Sequence, residues 1–356
     1  MSNYLINKMQ DYVRFSKYDG KGQTGLANVG NTCYLNSLIQ CLSHTYEFND
    51  FLEKGSYSTR LNKKPDSVLL VEWDSLRKMM WAQNCNIAPW GFVKAVHKVA
   101  GLKNQDLFTG YGQQDVQEFL LFLIDCFHNS ISREVEMNVT GDVKNSKDIM
   151  ARECYKMMVN MFQNDYSEIV SMFYGIHVSA ITSIDNGKSL SVTPEPYFVL
   201  SLPMPSTGGT SVTVIECLEE FCKKERLEGE NAWYNEDKDR KQDVDKGMVF
   251  WSFPDVLIIH LKRWNMMGRK DKRNIEAEVN GLDLRKYVKG YNANSYIYNL
   301  YGVCNHSGGS FGGHYTANVK TSDGTWYNFN DMSVTKINED RAITPEAYCL
   351  FYRKIK

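Results

Sequence analysis

The stretch GLANVGNTCYLNSLIQCLSH, Gly25 to His44, decides the fold because a polar turn runs directly into an amphipathic helix. Apolar residues recur there at intervals of three and four positions, which predicts a helix of about three turns. They are Leu35, Leu38, Ile39 and Leu42. Asn31 and Thr32 are plausible start residues, so Cys33 lies in the first turn. Unpaired backbone N–H groups and the helix dipole favour a thiolate there, so we predict that Cys33 is a catalytic nucleophile.

The turn before the cysteine has the composition of an oxyanion site. Gly25 and Gly30 allow the backbone to turn tightly, so we expect amide donors and the Asn28 carboxamide to face an oxyanion. The alternative is that Cys33 is a buried core residue, which is the commoner role of a lone cysteine in a helix. The polar Asn-Thr pair before Cys33 favours the catalytic interpretation, since a core cysteine has no need of it.

Composition excludes several classes of protein. The 356 residues suffice for one large domain or two, and 43% hydrophobic with 23% charged residues is ordinary for a soluble globular protein. A net charge of -1 without a basic run argues against a nucleic-acid partner. No apolar run reaches the roughly 18 residues of a membrane span, and the N-terminus does not resemble a signal peptide. The nine cysteines form no C-x-x-C pair, which favours a reducing cytosol or nucleus over a disulfide framework.

The two halves of the chain differ in their periodicity. Helical spacing dominates the first half, and the predicted helices span about 48–54, 68–81, 91–99, 111–128 and 147–162. Weak alternation over Ser130 to Thr140 indicates a strand or hairpin. From Tyr174 the pattern changes to period two, apart from a helix predicted at Glu216 to Leu227. The run Val256 to Leu261 suits a central strand, so we interpret its His260 as a structural histidine.

The stretch YGQQDVQEFLLFLIDCFH, Tyr111 to His128, combines an apolar helix face with a polar first turn. Acidic residues in a first turn stabilise a helix whatever the protein does, so capping and a solvated edge are one interpretation. The other is that Asp115 and Glu118 lie beside the cysteine helix and hold a cationic peptide. Sequence spacing alone does not choose between them.

A histidine near the C-terminus completes a possible triad. In CNHSGGSFGGHYTANVK, Cys304 to Lys320, four glycines predict a flexible loop, and a strand after it holds His314. A hairpin through the Ser322 to Gly324 turn brings Asn330 or Asp331 against this imidazole. A nucleophile, a base and an orienting residue are then present. His306 is a rival base, ranked lower because it lies inside the glycine loop.

These motifs together resemble the three conserved boxes of the ubiquitin-specific protease family of deubiquitinases. GLANVGNTCYLNS is similar to its cysteine box, YGQQDVQEFL to its glutamine-aspartate box, LIIHLKRW to its palm strand, and GGHYTA with WYNFND to its histidine box. The resemblance runs from about Gly25 to Tyr352. It implies a papain-like α+β fold with a helical thumb over about 23–170, β fingers over about 171–255 and a β-rich palm over about 256–356. Residues 1–22 are then an N-terminal extension.

The resemblance also implies a reaction and the residues that perform it. Cys33 is the nucleophile, His314 the general base, Asn330 the third member and Asn28 the oxyanion donor, with Asp331 assisting. The substrate-binding residues are Gln114, Asp115, Glu118, Gly312, Gly313 and Tyr315. The expected reaction is hydrolysis of the isopeptide or peptide bond after the C-terminal glycine of ubiquitin, through an acyl-enzyme. A Cys–His pair can lower a thiol pKa from about 8.5 to roughly 3–4. We expect ubiquitin and ubiquitinated proteins as partners, a monomer, and no cofactor, nucleic acid or membrane.

The chain departs from the family pattern in one respect. Many members carry two C-x-x-C pairs that bind zinc at the fingertips, whereas Ile176 to Leu202 has no cysteine here and Asn235 and Lys238 stand where the second pair would lie. His177 alone does not make a four-ligand site, so we expect fingers without zinc. Two alternatives to an active deubiquitinase stay open. They are a ubiquitin-binding module that has lost catalysis and a protease for another ubiquitin-like modifier.

Overall fold

A computed structural model describes residues 14–206, 209–309 and 312–355. The first part of the predicted N-terminal extension, residues 1–13, lies outside these residues. The helices are α1 Cys33–Ser43, α2 Tyr46–Glu53, α3 Asp66–Ala82, α4 Trp90–Leu102, α5 Val116–Ile131, α6 Ser146–Phe162, α7 Glu168–Phe173 and α8 Val214–Cys222. The strands are β1 Gly25–Leu26, β2 Asn86–Ile87, β3 Gly175–Ser183, β4 Ser189–Tyr197, β5 Val199–Pro203, β6 Ser211–Thr213, β7 Glu225–Leu227, β8 Trp233–Asn235, β9 Arg240–Gln242, β10 Val244–Ser252, β11 Val256–Lys262, β12 Asn274–Glu276, β13 Asn280–Asp283, β14 Ile297–Gly309, β15 Gly312–Lys320, β16 Trp326–Asn330, β17 Ser333–Ile337 and β18 Ala347–Lys354.

Helix α1 is buried along its whole length, not only on its apolar face. Helices α2 to α5 form an aromatic core in the first half of the chain, where Trp73 lies 5.7 Å from Phe127 and Phe127 lies 5.5 Å from Phe48 between ring centroids. The other side of α1 packs against β14 and β15. Burial on all sides means that polar side chains of α1 need partners within the protein. Gln40, for example, donates to the carbonyl of Thr24 at 2.8 Å.

Two large sheets account for most of the second half. A four-stranded sheet has the order β4-β3-β10-β7, and an eight-stranded sheet has the order β17-β16-β15-β14-β18-β11-β5, with β13 also paired to β14. The predicted central strand is β11, which lies between β18 and β5. Its apolar side chains are buried on both faces, as a β-branched run requires. Strand β5 follows β4 of the four-stranded sheet directly in the chain and pairs with β11. The chain thus passes from the smaller sheet into the larger one at this point.

Three local predictions are wrong in detail. Ser130 to Thr140 forms no strand, because beyond Ile131 the described backbone makes only an isolated bridge between Arg133 and Tyr166. The helix predicted at Glu216 to Leu227 ends at Cys222, and the chain turns into β7. The glycine-rich segment before His314 is not a free loop over the described residues, because β14 and β15 pair as far as Gly309 and Gly312. Backbone pairing within this hairpin overrides the local glycine signal there.

The end of the predicted N-terminal extension packs on the domain. Phe15 and Tyr18 are each 3% exposed, and the ring of Tyr18 stacks on Tyr46 with 4.4 Å between centroids. The segment from Arg14 onward thus contributes to the core. Among the helices that the structure describes, none is both long and apolar enough to cross a membrane.

Candidate active site

Cys33 is the first residue of α1, and its side chain lies against the strand that carries His314. The residue is 3% exposed. Its sulfur is within hydrogen-bonding reach of the backbone N–H of Tyr315, the residue after His314. This contact forms because α1 packs directly on β15. The predicted nucleophile and the predicted base, 281 positions apart, are thereby brought to one place.

The turn before Cys33 is closed by the side chain of Asn28. Its Oδ1 accepts from the backbone N–H of Thr32 at 3.0 Å and of Gly30 at 3.3 Å. Those two amides are therefore occupied, contrary to the expectation that the turn leaves them free for an oxyanion. Asn28 itself is exposed, and its Nδ2 donates one hydrogen bond to Asp331 Oδ2 at 3.1 Å. An amide nitrogen carries two hydrogens, so one is left for a substrate oxygen.

The predicted orienting residue contacts the predicted base. Nε2 of His314 and Oδ1 of Asn330 are 2.7 Å apart, across the β15–β16 hairpin. This contact fixes Nε2 as the protonated ring nitrogen, because an amide oxygen accepts only. Nδ1 is then the nitrogen that is able to take a proton from a thiol. No hydrogen bond joins His314 to Cys33 in the part of the chain that the structure describes.

Asp331 contacts the turn before Cys33 rather than the imidazole. It follows β16 with a left-handed backbone, φ 51°, in the tight turn into β17. Its carbonyl accepts from the N–H of Leu26 at 2.9 Å, and its carboxylate accepts from Asn28 and from Asn36 Nδ2, the latter at 2.8 Å. Sequence patterns did not identify Asn36, whose partner lies far away in the chain.

The pKa of the Cys33 thiol is raised in the free protein, whereas its place at a helix start was expected to lower it. Burial is the largest cause of a raised thiol pKa, and the negative charge of Asp331 raises it further. Backbone N–H groups of Tyr315, Tyr34 and Cys33 itself oppose the rise without cancelling it. The helix-terminus effect is present, but desolvation outweighs it.

Gln113, not Gln114, joins the second motif to the histidine strand. Its Nε2 donates to the carbonyl of Gly313 at 3.0 Å, and its Oε1 accepts from the N–H of Gly313 at 2.9 Å. The carboxamide thus pairs with the residue before His314 as a neighbouring strand would. Gly313 has to be a glycine, because a Cβ there would lie 2.3 Å from His306 Nε2 and 2.4 Å from a backbone oxygen.

Asp115 is the N-cap of α5, and this role does not depend on whether its carboxylate also binds substrate. Its Oδ1 accepts from the backbone N–H of Gln117 at 2.7 Å, as an N-cap does, and its Oδ2 accepts from the Tyr348 hydroxyl at 2.7 Å. Tyr315 donates weakly to the same oxygen, at 3.5 Å. Glu118 is exposed as a whole residue. Partial burial of its carboxyl group, together with the charge of Asp115, still raises the pKa of this group.

A cleft of about 390 Å³ lies between the second motif and the β14–β15 hairpin. Its walls include five of the residues predicted to bind substrate, and they are Gln114, Asp115, Gly312, Gly313 and Tyr315. His306, the rejected rival, also lines it but is 5% exposed and lies in β14, not in a loop. Burial and the nearby charge of Lys270 lower the pKa of His306 to about 4. The rings of His306 and Tyr315 are tilted to each other, with 4.6 Å between their centroids.

That the fingers bind no zinc stays a prediction. At the position of the missing second cysteine pair, Asn235 closes the β8–β9 turn by accepting from the N–H of Lys238 at 3.3 Å. Within the described ranges, the side chains of Asp66, Asp125 and Cys126 are the one group close enough together to hold a metal ion. Lys103 already donates to both carboxylates, at 2.6 and 2.8 Å. An ammonium group thus occupies the position of a cation there.

A cysteine at the start of a buried helix, opposite a histidine held by an asparagine on a sheet, is the arrangement of a papain-like cysteine peptidase. Known proteins narrow the class further. The family model described as UCH, ubiquitin carboxyl-terminal hydrolase, matches residues 24–352. The chain therefore belongs to the ubiquitin carboxyl-terminal hydrolase family.

Individual relatives agree with this assignment. Ubiquitin carboxyl-terminal hydrolase 2 of Homo sapiens is 34% identical over 93% of this chain, and the chain spans 55% of that relative's length. The Gallus gallus protein of the same name is 33% identical, with 93% of both chains covered. Among solved structures, the SAGA DUB module of Ubp8, Sgf11, Sus1 and Sgf73 bound to monoubiquitin contains a chain with a TM-score of 0.73 at 26% identity. That match covers 94% of this chain and 70% of the other, and it confirms the predicted papain-like α+β fold.

Proposed function

We propose that this chain is a thiol-dependent hydrolase that cleaves the isopeptide or peptide bond after the C-terminal glycine of ubiquitin. The observation that carries the proposal is the 2.7 Å contact between His314 Nε2 and Asn330 Oδ1 on the strand against which Cys33 lies. Family membership supplies the substrate class, because the relatives that it matches are named ubiquitin carboxyl-terminal hydrolases.

The proposed mechanism assigns one role to each residue. His314 takes the thiol proton of Cys33 at Nδ1 while Asn330 holds the opposite ring nitrogen. The sulfur attacks the carbonyl of the last ubiquitin glycine, and the second hydrogen of Asn28 Nδ2 stabilises the oxyanion together with the backbone N–H of Cys33. The imidazolium then returns the proton to the leaving amine. Water hydrolyses the resulting thioester, which frees ubiquitin and the enzyme.

The proposed binding site for the ubiquitin tail is the cleft between the second motif and the β14–β15 hairpin. Gly312 and Gly313 form its narrow side, so a Gly-Gly end fits where larger residues do not. Gln114, Asp115 and Tyr315 also line the cleft, and Glu118 is proposed to reach the tail from outside this lining, with the two carboxylates available to basic residues of the tail. We further propose thumb, fingers and palm regions at about 23–170, 171–255 and 256–356, after an extension over 1–22. The protein acts as a monomer in a reducing compartment, cytoplasmic or nuclear, without nucleic acid, membrane or cofactor.

One observation favours a second candidate, a ubiquitin-binding module without catalysis. The thiol pKa of Cys33 is raised in the free protein, which is the wrong direction for a nucleophile. An active enzyme must then activate the thiol when the substrate is bound. A silent module has no such requirement.

Ubiquitin that carries an electrophile at its C-terminus separates these candidates. We expect stoichiometric labelling of Cys33, identified by peptide mass spectrometry, and its loss in Cys33→Ala while ubiquitin binding is kept. Cys41→Ser is the matched control, since Cys41 lies two turns further along α1 and is fully buried. Binding without labelling would support the silent module. Labelling only by a probe built on another modifier would assign the chain to that modifier.

A further inference from the structure

Asn36 is a buried polar residue of α1 that belongs to none of the predicted site roles. It is 2% exposed. Its Nδ2 lies 2.8 Å from Asp331 Oδ1, 3.2 Å from the carbonyl of Ala27 and 3.3 Å from the carbonyl of Leu26. A side chain so deeply buried does not reach a substrate. Whatever it contributes to the reaction must pass through the groups that it touches.

The orientation of the Asn36 amide follows from its surroundings. Three oxygens face the nitrogen, while Oδ1 lies buried without a partner. The flipped amide would place its oxygen against all three acceptors, with electrostatic repulsion from each. Asn36 therefore presents donors to Asp331. In this orientation the Asn36 Oδ1 is left without a partner.

Asp331 connects Asn36 to the exposed donor of the site. One carboxylate oxygen accepts from Asn36 and the other accepts from Asn28, at 3.1 Å. The backbone of Asp331 is left-handed, a conformation that a residue with a Cβ adopts only when its surroundings hold it. Contacts at both carboxylate oxygens and at the carbonyl provide that support.

We propose that Asn36 is a positioning residue for the oxyanion donor. It fixes the carboxylate of Asp331, and the carboxylate in turn fixes the carboxamide of Asn28 with one hydrogen directed to the substrate oxygen. The inference rests on the proposed function, since it assigns how that same site is held. Preorganised donors stabilise charge that develops in the transition state, so the effect belongs to kcat and not to substrate binding.

Gln40 provides a matched control on the next turn of the same helix. It is 1% exposed, its Nε2 donates to the carbonyl of Thr24 at 2.8 Å, and its Oε1 is also buried without a partner. It contacts neither Asp331 nor Asn28. Both are buried carboxamides of α1, but Asn36 makes three hydrogen bonds where Gln40 makes one, and only Asn36 leads to the site.

The test is a double-mutant cycle in the hydrolysis of a fluorogenic ubiquitin C-terminal amide. Asn36→Ala should lower kcat roughly tenfold with KM within about twofold, because loss of a direct oxyanion donor costs about 10²–10³ and this residue acts one step away. Asn36→Leu, which leaves no cavity, should give the same loss. The double variant with Asp331→Ala should be no slower than Asp331→Ala alone. Affinity for ubiquitin aldehyde, whose carbonyl adds the Cys33 thiol and whose oxygen takes the proton, should fall in parallel with kcat.

The control separates this inference from the function on which it rests. Gln40→Ala should also lose thermal stability, because it too removes a buried carboxamide, but it should keep kcat within about twofold. Equal losses of kcat in both variants, or additive losses with Asp331→Ala, would overturn the positioning role. A wild-type protein that does not hydrolyse the substrate would instead overturn the proposed function. In that case the Asn36 contacts would be structural only.

Discussion

At the residue scale, Asn330 and Asp331 are neighbours in sequence with different partners. Asn330 contacts the imidazole of His314, and Asp331 contacts Asn28 and Asn36. The sequence motif placed both beside the base and left their division of roles open. The division depends on the tight turn after β16, which directs the two side chains to different groups, and a linear pattern does not contain that geometry.

We predict that Asn330→Ala loses more activity than Asp331→Ala. The kcat of Asn330→Ala should fall by roughly a hundredfold, because general acid–base catalysis contributes a factor of about 10²–10⁴ and needs an oriented imidazole. Asn330→Asp should keep most activity, since a carboxylate oxygen also accepts from Nε2. Steady-state kinetics of the three variants provide the measurement. A larger loss in Asp331→Ala, with Asn330→Ala nearly normal, would transfer the orienting role to Asp331.

The thiol of Cys33 makes a second prediction at this scale. Burial, and then the Asp331 carboxylate, raise its pKa above the ordinary value of a cysteine in the free protein. The thiolate fraction, and with it the rate of iodoacetamide alkylation at Cys33 followed by peptide mass spectrometry, should therefore still be rising at a pH where an ordinary thiol is already ionised. Removing the negative charge in Asp331→Asn should move the profile to lower pH. A profile already flat at neutral pH would mean that His314 activates the thiol without substrate.

At the element scale, the loop before α5 and the start of β15 are joined by a contact of Gln113 that sequence analysis did not predict. Helices α1 and α5 could be predicted because their periodic apolar faces are local signals. The contact of Gln113, rather than Gln114, with Gly313 could not be predicted, because it depends on which side chain the loop directs at a residue 200 positions away. The pairing of Gly308 and Gly309 with Gly313 and Gly312 was missed for a different reason, because these residues are close in sequence and their glycines were interpreted as a loop.

Gln113→Ala should reduce kcat/KM more than Gln114→Ala. The Gln113 carboxamide makes two hydrogen bonds to Gly313, each worth about 0.5–1.5 kcal/mol, so a loss of roughly fivefold or more is expected. Hydrogen exchange gives an independent readout, since the Gly313 amide should exchange faster only in the Gln113 variant. Equal kinetics in both variants would mean that the Gln113 contact exists in the free protein but does not contribute to the reaction.

Substitutions at Asp115 should separate capping from substrate binding. Asp115→Ala removes the cap of α5, worth about 1 kcal/mol, and leaves the Tyr348 hydroxyl unpaired. We therefore expect this variant to be less stable, whatever happens to its activity. Asp115→Asn keeps an oxygen for the cap but loses the charge. A fall in kcat/KM of more than about tenfold in Asp115→Asn, at near-normal melting temperature, would establish contact with a basic substrate tail.

At the scale of the whole molecule, the helical half and the eight-stranded sheet meet along α1, and a buried histidine lies at this junction. His44 follows α1 directly, its Nδ1 lies 2.8 Å from the carbonyl of Gln40, and its ring lies 5.8 Å from that of Phe329 in β16. Two further buried histidines lie within the sheet, His260 in β11 and His306 in β14. Burial is the largest cause that lowers the pKa of each of the three to about 4. The neutral imidazole is thus the favoured form both at the junction and in the sheet.

These histidines predict that the protein loses stability in mild acid. Their folded pKa values lie near 4 and the unfolded value is 6.5, so the unfolded chain binds more protons between those limits. The free energy of unfolding should then be at its full value above about pH 6.5 and fall as pH decreases toward 4. His44 alone accounts for about 3 kcal/mol of this fall at 1.36 kcal/mol per pKa unit. Urea denaturation across this range provides the measurement, and His44→Asn, whose Nδ2 can still donate to Gln40, should show a shallower slope at similar stability near pH 7.5. An unchanged slope in that variant would mean that His44 titrates normally in the folded protein, and that the junction does not depend on its neutrality.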